Sequence, residues 1–179
     1  MITVDTLSDL YRHMEWADAT VWTAVLRSTS VCTDEKLQGL LYHLHLVQHA
    51  FLRIWRGEPR DTPYPTFDAA VALMHWAMDY HPEVRAELDR RSQQTSDVLE
   101  VPWATMTAKR LGRTPGPTTF GETALQVTLH SLYHRGQVNL RLRELGGEPP
   151  LVDYIAWLWL GRPEATWPVE RHNLPQARA

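Results

Sequence analysis

Residues 119–150 read TFGETALQVTLHSLYHRGQVNLRLRELGGEPP, and this stretch indicates an α-helical fold. Apolar side chains recur at steps of three and four residues, which is typical of one face of a long amphipathic helix. Two glycines, Gly146 and Gly147, and the prolines beyond them are typical of a helix end. The pattern predicts a helix that begins at residue 119 or 120 and ends at residue 145.

The rest of the chain shows the same helical periodicity and almost no alternating strand pattern. The predicted segments are three long helices over residues 6–26, 33–56 and 67–91, and a short apolar helix over DYIAWLWLG, residues 153–161. Four long helices favour an all-α four-helix bundle, an architecture that places ligand sites on side chains facing inward. We expect a single domain over residues 1–179, with an irregular tail over residues 162–179.

Prolines interrupt the pattern at two places. Pro82 lies inside the third helix, where its ring clashes with the carbonyl four residues back, so we expect a kink or a break near His81. Residues 95–118 are rich in proline and glycine. They predict an irregular connection that holds a short strand pair around residues 98–101.

Composition excludes several classes of protein. The chain has 179 residues, 44% hydrophobic and 22% charged, which is typical of a globular domain rather than a disordered or fibrous chain. Its net charge of −3 comes without a basic patch, so we expect no nucleic-acid partner. No apolar run approaches the ~20 residues that span a bilayer, and the N-terminus lacks the apolar core of a signal peptide. We therefore expect a soluble, cytoplasmic protein.

Histidine is the residue that carries candidate chemistry, because the chain has nine histidines and one cysteine. Cys32 cannot form an internal disulfide and has no base near it in sequence. His130 and His134 are four residues apart, so their imidazoles lie on one helix face, close enough to share a metal ion. The alternative is a pair of surface histidines. Catalytic zinc usually has three protein ligands, so a third should come from another helix.

The second helix offers three candidates for that third ligand: His43, His45 and His49. At about 100° per residue, His45 and His49 share a polar stripe with Gln38 and Arg53, which we interpret as facing solvent. His43 lies on the apolar side, where an imidazole needs a partner. It is either the third ligand or a hydrogen-bonded core residue. The remaining histidines lack partners at ligand spacing and are interpreted as structural or surface residues: His13, His75, His81 and His172.

Three stretches together resemble the DinB-like family of metal-binding four-helix-bundle proteins. They are YRHMEWADATVW at residues 11–22, LLYHLHLVQHAFLRIWRGE at residues 40–58 and HSLYHRGQVNLRLRELGGEPPLVDYIAWLW at residues 130–159. The resemblance covers residues 8–160. It implies an up-up-down-down bundle, a divalent metal ion held by His43, His130 and His134, and subunits that pair as homodimers.

The resemblance also implies an activity. Wider relatives include transferases that use low-molecular-weight thiols such as bacillithiol, mycothiol or glutathione, and a thiol-dependent maleylpyruvate isomerase. The chain departs from the family pattern at three positions. Asp18 stands where asparagine is common, Gln48 where an acid is frequent, and His49 where an apolar or aromatic residue is frequent.

We expect a metal-dependent thiol transferase that acts on small electrophiles in detoxification or stress response, with no catalytic residue assigned. Three imidazoles and an open position suit zinc, although nickel, iron(II) and copper also accept imidazole. Gln48, Tyr133 and Gln137 are candidates for the wall of the site or for contacts with the ligands. Two alternatives remain: a hydrolase that uses an activated water, and a non-enzymatic bundle that a metal ion stabilises.

Overall fold

The computed structural model describes residues 2–59 and 61–168. These residues form seven helices and one two-stranded ribbon, which confirms the all-α bundle. The helices are α1 (Val4–Val25), α2 (Thr29–Cys32), α3 (Glu35–Arg56), α4 (Ala70–Arg90), α5 (Ala104–Leu111), α6 (Phe120–Glu144) and α7 (Tyr154–Trp159), and the strands are β1 (Val98–Leu99) and β2 (Thr118–Thr119). Among these helices, none has the length and apolarity to cross a membrane.

Side-chain caps fix the ends of the helices that carry the candidate site. The Asp34 carboxylate accepts a hydrogen bond from the Leu37 amide at 2.8 Å, so α3 begins after Asp34 rather than at residue 33. Gly57 ends α3 in the left-handed conformation, with φ of 67°, which glycine adopts without steric cost. Thr119 and Glu122 form a reciprocal capping box that starts α6 where the sequence predicts it.

The third long helix differs from the prediction. We expected a kink or a break near His81, but α4 runs as one element from Ala70 to Arg90 with Pro82 inside it, so a break is wrong. Tyr80, His81 and Val84 are all buried around the proline. Packing on both sides of Pro82 therefore holds the helix together although one backbone hydrogen bond is missing.

The connection between α4 and α6 contains more structure than predicted. The expected strand near residue 98 is present as β1, and its antiparallel partner is β2, which directly precedes α6. Helix α5 between them was not predicted. The start of the connection is joined to the start of α6, because the Thr95 carbonyl accepts a hydrogen bond from the Gly121 amide at 2.9 Å. A β-carbon at Gly121 would lie 2.9 Å from that oxygen, so this close approach requires glycine.

Contacts between helices fix their directions, and the predicted up-up-down-down order along the chain is wrong. Helix α6 is parallel to α1 and antiparallel to α3, and α4 is parallel to α3. Tyr11–Ala124 and Asp18–Arg135 join α1 to α6 with both residue numbers rising together. Asp34–Arg141 and Trp55–Thr123 join α3 to α6 with the numbers running in opposite directions. His49–Trp76 and Arg56–Glu83 join α3 to α4 with both numbers rising together. The long helices run up, down, down and up along the chain; up-up-down-down is instead their order around the bundle.

The interior is apolar at both ends of the bundle and polar in the middle. One apolar cluster contains Trp22, Leu41 and Val138, and the other contains Leu7, Trp55 and Phe120. The buried polar side chains between the two clusters come from all four long helices: Asp18, His45, Gln48, His81, Ser131 and Arg135. This polar layer lies directly behind the candidate site on α6.

Candidate metal centre

Three histidines from two helices converge on one point. His43 of α3 and His130 and His134 of α6 each offer a ring nitrogen, and these nitrogens all lie within 4.8 Å of one another. The ring centroid of His134 lies 4.5 Å from that of His43 and 4.3 Å from that of His130. No carboxylate joins this group among the described residues. The structure therefore brings together the three histidines that the sequence singled out, in a cluster able to bind a metal ion.

Helix geometry explains how the cluster forms. His130 and His134 are one turn apart on α6, so their side chains project from the same face. Helix α3 packs against α6 in the antiparallel direction and brings His43 opposite them. His43 is exposed, whereas His130 and His134 are half-buried. The cluster thus lies at the outer edge of the α3–α6 contact, where solvent and small molecules reach it.

One observation fits a metal ion in particular. Nε2 of His130 is buried and has no hydrogen-bond partner among the described residues. A buried polar atom left without a partner costs about 1–3 kcal/mol, so such atoms are rare unless they bind a ligand. Imidazole nitrogens are ligands that zinc and other divalent ions accept, so this donor set fits such an ion.

The ring protonation states also suit a metal ion. Burial lowers the pKa of His130 to about 4, and the nearby His134 and His43 act in the same direction. Burial, followed by the proximity of His134, also lowers the pKa of His43. Both rings are therefore neutral at pH 7, with lone pairs available for coordination. His134 donates from Nδ1 to the Gln137 side-chain oxygen at 2.8 Å, so Nε2 is the nitrogen that remains to coordinate an ion.

The sequence profile of the DinB family matches residues 3–166. The chain belongs to the DinB family. None of the curated proteins compared with the chain matches it. The matched residues contain the four long helices and all three clustered histidines, so the candidate metal centre lies within the DinB fold itself.

The three residues expected near the histidines of this DinB protein have different positions. Gln137 contacts His134 directly, because its side-chain oxygen accepts a hydrogen bond from His134 Nδ1. Tyr133 is 65% exposed and sits edge-on to His134, with ring centroids 5.1 Å apart, so it flanks the site on the solvent side. Gln48 is fully buried in the core and reaches Ser131 instead of the open side of the site.

The interpretation of His45 and His49 as solvent-facing residues is wrong. His45 is 1% exposed; it accepts a hydrogen bond from the Trp22 indole at 3.0 Å and donates one to Gln48 at 2.8 Å. His49 is half-buried, stacks on Trp76 with centroids 4.1 Å apart and bonds the Trp76 carbonyl. Both ring nitrogens of His45 already have partners, so it is a core residue. The polar stripe of α3 partly faces the bundle interior, because polar partners meet it there.

A buried polar network lies behind the histidine cluster of the DinB bundle. Arg135 Nη1 donates to Asp18 Oδ1 at 2.7 Å, and Gln48 donates to Asp18 Oδ2 at 2.9 Å and to Ser131 Oγ at 3.1 Å. Burial alone would raise the pKa of the Asp18 carboxyl, but the Arg135 guanidinium lowers it well below its usual range. Ser131 directly follows His130, and Arg135 directly follows His134. The network therefore fixes the rotation of α6 about its own axis.

Sequence reasoning missed this network, although a signal for it was present. Charged residues lie on the core-facing side of two different helices, Asp18 on α1 and Arg135 on α6. Opposite charges at such positions indicate a buried ion pair, because an unpaired charge there is too costly. The other histidines follow the structural interpretation: His13 and His81 are buried and His75 is half-buried, while His172 lies outside the described residues.

Proposed function

We propose that this chain is a metal-dependent thiol transferase that joins a low-molecular-weight thiol to a small electrophile. The observation that carries the proposal is the convergence of three imidazoles, without a carboxylate among the described residues, at an exposed edge of the bundle. The proposed ligands of the metal ion are His43, His130 and His134. Zinc suits this donor set best, with nickel, iron(II) and copper as the alternatives.

When bound, a divalent metal ion supplies positive charge that stabilises a thiolate at neutral pH. Neutral imidazoles contribute no charge of their own, so the site favours an anion. The thiolate sulfur attacks the electrophilic carbon and a carbon–sulfur bond forms. The leaving group departs with its bonding electron pair, and the thiol proton is released to solvent.

The residues of the chain orient this chemistry. Gln137 accepts a hydrogen bond from Nδ1–H of His134, so that Nε2 is the nitrogen left to coordinate the ion. His43 is exposed and leaves the cluster open on its outer side. Cys32 is half-buried at the end of α2, where its thiol contacts the Thr29 carbonyl, and it is not part of the cluster. The sulfur that reacts therefore arrives with a cosubstrate.

The histidine cluster favours this chemistry over hydrolysis. A hydrolase commonly places a carboxylate or another base where it can accept a proton from the attacking water. No acid joins the three histidines among the described residues. A role in stress response or detoxification follows from the type of reaction proposed, since electrophiles are removed by conjugation to thiols.

Consumption of thiol together with a chloro-nitroarene tests the proposal. The assay uses the Cys32→Ser background, because this removes the only protein thiol and leaves the cosubstrate as the sole source of signal. We expect turnover in the metal-loaded protein, loss of turnover in His134→Ala, and unchanged turnover in His75→Ala, a half-buried histidine of α4 outside the cluster.

Two outcomes would contradict the proposal. If bacillithiol, mycothiol and glutathione are all left unconsumed with each candidate metal, the chain is not a thiol transferase. If metal removal then lowers the melting temperature, the chain is instead a non-enzymatic bundle that a metal ion stabilises. Cleavage of esters or amides without added thiol would instead indicate a metal-dependent hydrolase.

A further inference from the structure

Each proposed ligand on α6 is directly followed by a residue that hydrogen bonds to another helix. Ser131 follows His130, and its hydroxyl accepts a hydrogen bond from the Gln48 amide of α3 at 3.1 Å. Arg135 follows His134, and it donates to a carboxylate of α1 at 2.7 Å. Ser131 and Arg135 are one turn apart, like the two ligands. Both turns of α6 that carry a clustered histidine are therefore held from the buried side.

Gln48 holds α3 in the same buried layer. Its side-chain oxygen accepts a hydrogen bond from His45 Nδ1 at 2.8 Å, and its nitrogen donates to Asp18 Oδ2 at 2.9 Å as well as to Ser131. Because an ionised carboxylate only accepts hydrogen bonds, the amide nitrogen must face Asp18 and the oxygen must face His45. The Gln48 amide therefore has a single orientation. His43, the proposed ligand on α3, lies two residues before His45.

The burial of this layer makes its hydrogen bonds selective for one arrangement of the helices. Gln48, Ser131, Asp18 and Arg135 are each at most 2% exposed. A polar group that loses its partner here gains no water in exchange, so a shift of either helix leaves groups unpaired. His43 is exposed at the outer edge of the same α3–α6 contact, where no comparable burial restrains it.

The rotation of the helices determines whether the histidines can share an ion. Side chains lie about 5–6 Å from a helix axis, so a rotation of about 10° moves a ring by about 1 Å. Metal–ligand distances vary by only about 0.2 Å. Trp55–Thr123 and Asp34–Arg141 also join α3 to α6, but Thr123 and Arg141 each lie seven residues from the nearest clustered histidine of α6. The Gln48–Ser131 bond lies much closer to the cluster along α6.

We propose that Gln48 and Ser131 are positioning residues of the metal centre. Their hydrogen bond sets the rotation and separation of α3 and α6 at which the three clustered histidines bind one ion. Asp18 holds the Gln48 amide in the orientation that this bond requires. Both residues act through the helices that carry the ligands. The inference rests on the metal centre of the proposed function, but it concerns metal binding and is measurable without turnover.

Equilibration of the cobalt(II)-loaded protein with a competing chelator tests the inference, because the visible absorption of cobalt depends on its coordination geometry. Ser131→Ala removes the acceptor for Gln48, so it should weaken cobalt binding about tenfold and change the spectrum of the bound ion. Thr123→Val is the matched control. It removes the acceptor of another buried α3–α6 hydrogen bond, from Trp55 at 3.0 Å, and should leave affinity and spectrum unchanged. Both variants should unfold at lower urea concentration than the wild type.

An exchange of the carboxylate and the amide between α1 and α3 gives a second test. Asp18→Asn alone leaves the Arg135 charge without a partner and should weaken cobalt binding. Adding Gln48→Glu returns a carboxylate to the layer. In the double variant this carboxylate accepts from His45 and from the new amide on α1, and the Ser131 hydroxyl donates to it instead of accepting. The double variant should therefore regain most of the wild-type cobalt affinity.

Equal cobalt affinities and spectra for Ser131→Ala and Thr123→Val would overturn the inference. A double variant that unfolds like the wild type but binds cobalt no better than Asp18→Asn would overturn it as well. A wild type that binds no cobalt refutes the metal centre and this inference with it. The transferase and the positioning role otherwise fail separately. The expected affinities in a protein that consumes no thiol refute the transferase alone, whereas thiol turnover together with wild-type cobalt affinity in Ser131→Ala refutes the positioning role alone.

Discussion

Asp18 of α1 and Arg135 of α6 form an ion pair across the middle of the bundle, with Oδ1 and Nη1 2.7 Å apart and both side chains at most 2% exposed. The pair joins the two parallel helices next to His134. Gln48 and His81 approach the same carboxylate from α3 and α4, His81 at 3.6 Å. The Asp18 carboxylate of α1 thus contacts side chains from the other three long helices.

Replacing Asp18 by asparagine should destabilise the protein by about 3–5 kcal/mol, because it leaves the Arg135 charge buried without a partner. Urea unfolding of the wild type and of Asp18→Asn measures the difference. Asp9→Asn is the matched control, since Asp9 pairs with Arg162 at the surface, and it should cost less than about 1 kcal/mol. Equal unfolding free energies for Asp18→Asn and the wild type would show that the pair contributes nothing.

Replacing Gln137 should weaken metal binding without unfolding the bundle. Gln137→Leu removes the acceptor for His134 Nδ1, and loss of such an outer partner lowers metal affinity about 10–100-fold. Gln137→Glu retains an acceptor oxygen and should keep most of the affinity. Competition with a chromophoric chelator gives the dissociation constants. If Gln137→Leu binds metal as tightly as the wild type, the hydrogen bond does not orient His134.

Stability should fall as the pH is lowered from 6.5 to 4. Burial lowers the pKa of His45 from its ordinary 6.5 to about 4, so in this window the unfolded chain binds a proton that the folded chain does not. Stability from this residue is fully present above pH 6.5 and is lost as the pH falls toward 4, by about 3 kcal/mol at one pKa unit per 1.4 kcal/mol. His49 acts in the same direction.

Urea unfolding at several pH values between 4 and 7 checks this dependence. His45→Gln should unfold at lower urea concentration at pH 7, because two buried hydrogen bonds are disturbed, but its stability should depend less steeply on pH. A slope for His45→Gln as steep as that of the wild type would show that His45 does not cause the loss at acid pH.

Pairing of two copies of the chain stays a prediction, and one face of α6 supports it. Leu129, Leu132, Tyr133 and Leu140 are exposed there, each by at least 50%. Among the described residues, a β-carbon at Gly136 would meet no other side chain or helix within 4 Å, which leaves room for a close helix contact. Leu132 and Leu140 lie one turn on either side of Gly136. If α6 of a second copy packs here in the antiparallel direction, Leu132 of each copy lies against Leu140 of the other.

Light scattering measures the mass in solution. We expect a dimer for the wild type and a monomer for Leu132→Lys, because a charge at the centre of an apolar interface is costly. Leu111→Lys is the control, since Leu111 is 58% exposed but belongs to α5 and not to α6. A monomeric wild type, or a dimer that Leu132→Lys leaves intact, contradicts pairing through α6.

The sequence predicts the long helices and the three clustered histidines well, because local periodicity and spacing determine both. The bounds of α6 differ by one residue at its end, and the i, i+4 spacing of His130 and His134 suffices to place both rings on one face. Helix directions were wrong, since they depend on how the connections cross the ends of the bundle. Helix α5 was missed because it has only eight residues and lies in a stretch rich in proline and glycine, which indicated an irregular connection.

The faces of α3 show a more general limit. Polarity of the helical face was used to indicate exposure to solvent, and this failed at His45 and His49, which bond to Trp22 of α1 and to Trp76 of α4. No single helix contains that information. His43 was chosen for its apolar neighbours, yet it is exposed at the edge of the α3–α6 contact. Its convergence with His130 and His134 depends on packing between helices and not on the polarity of its own face.

Metal content per chain, determined by elemental analysis, shows whether His43, His130 and His134 hold a metal ion. The wild type and His75→Ala should each retain about one divalent ion per chain, the number that a single three-histidine site binds. His43→Ala and His130→Ala should each lose it, since two imidazoles hold an ion far less tightly than three. Stoichiometric metal retained in both His43→Ala and His130→Ala would contradict the proposed centre.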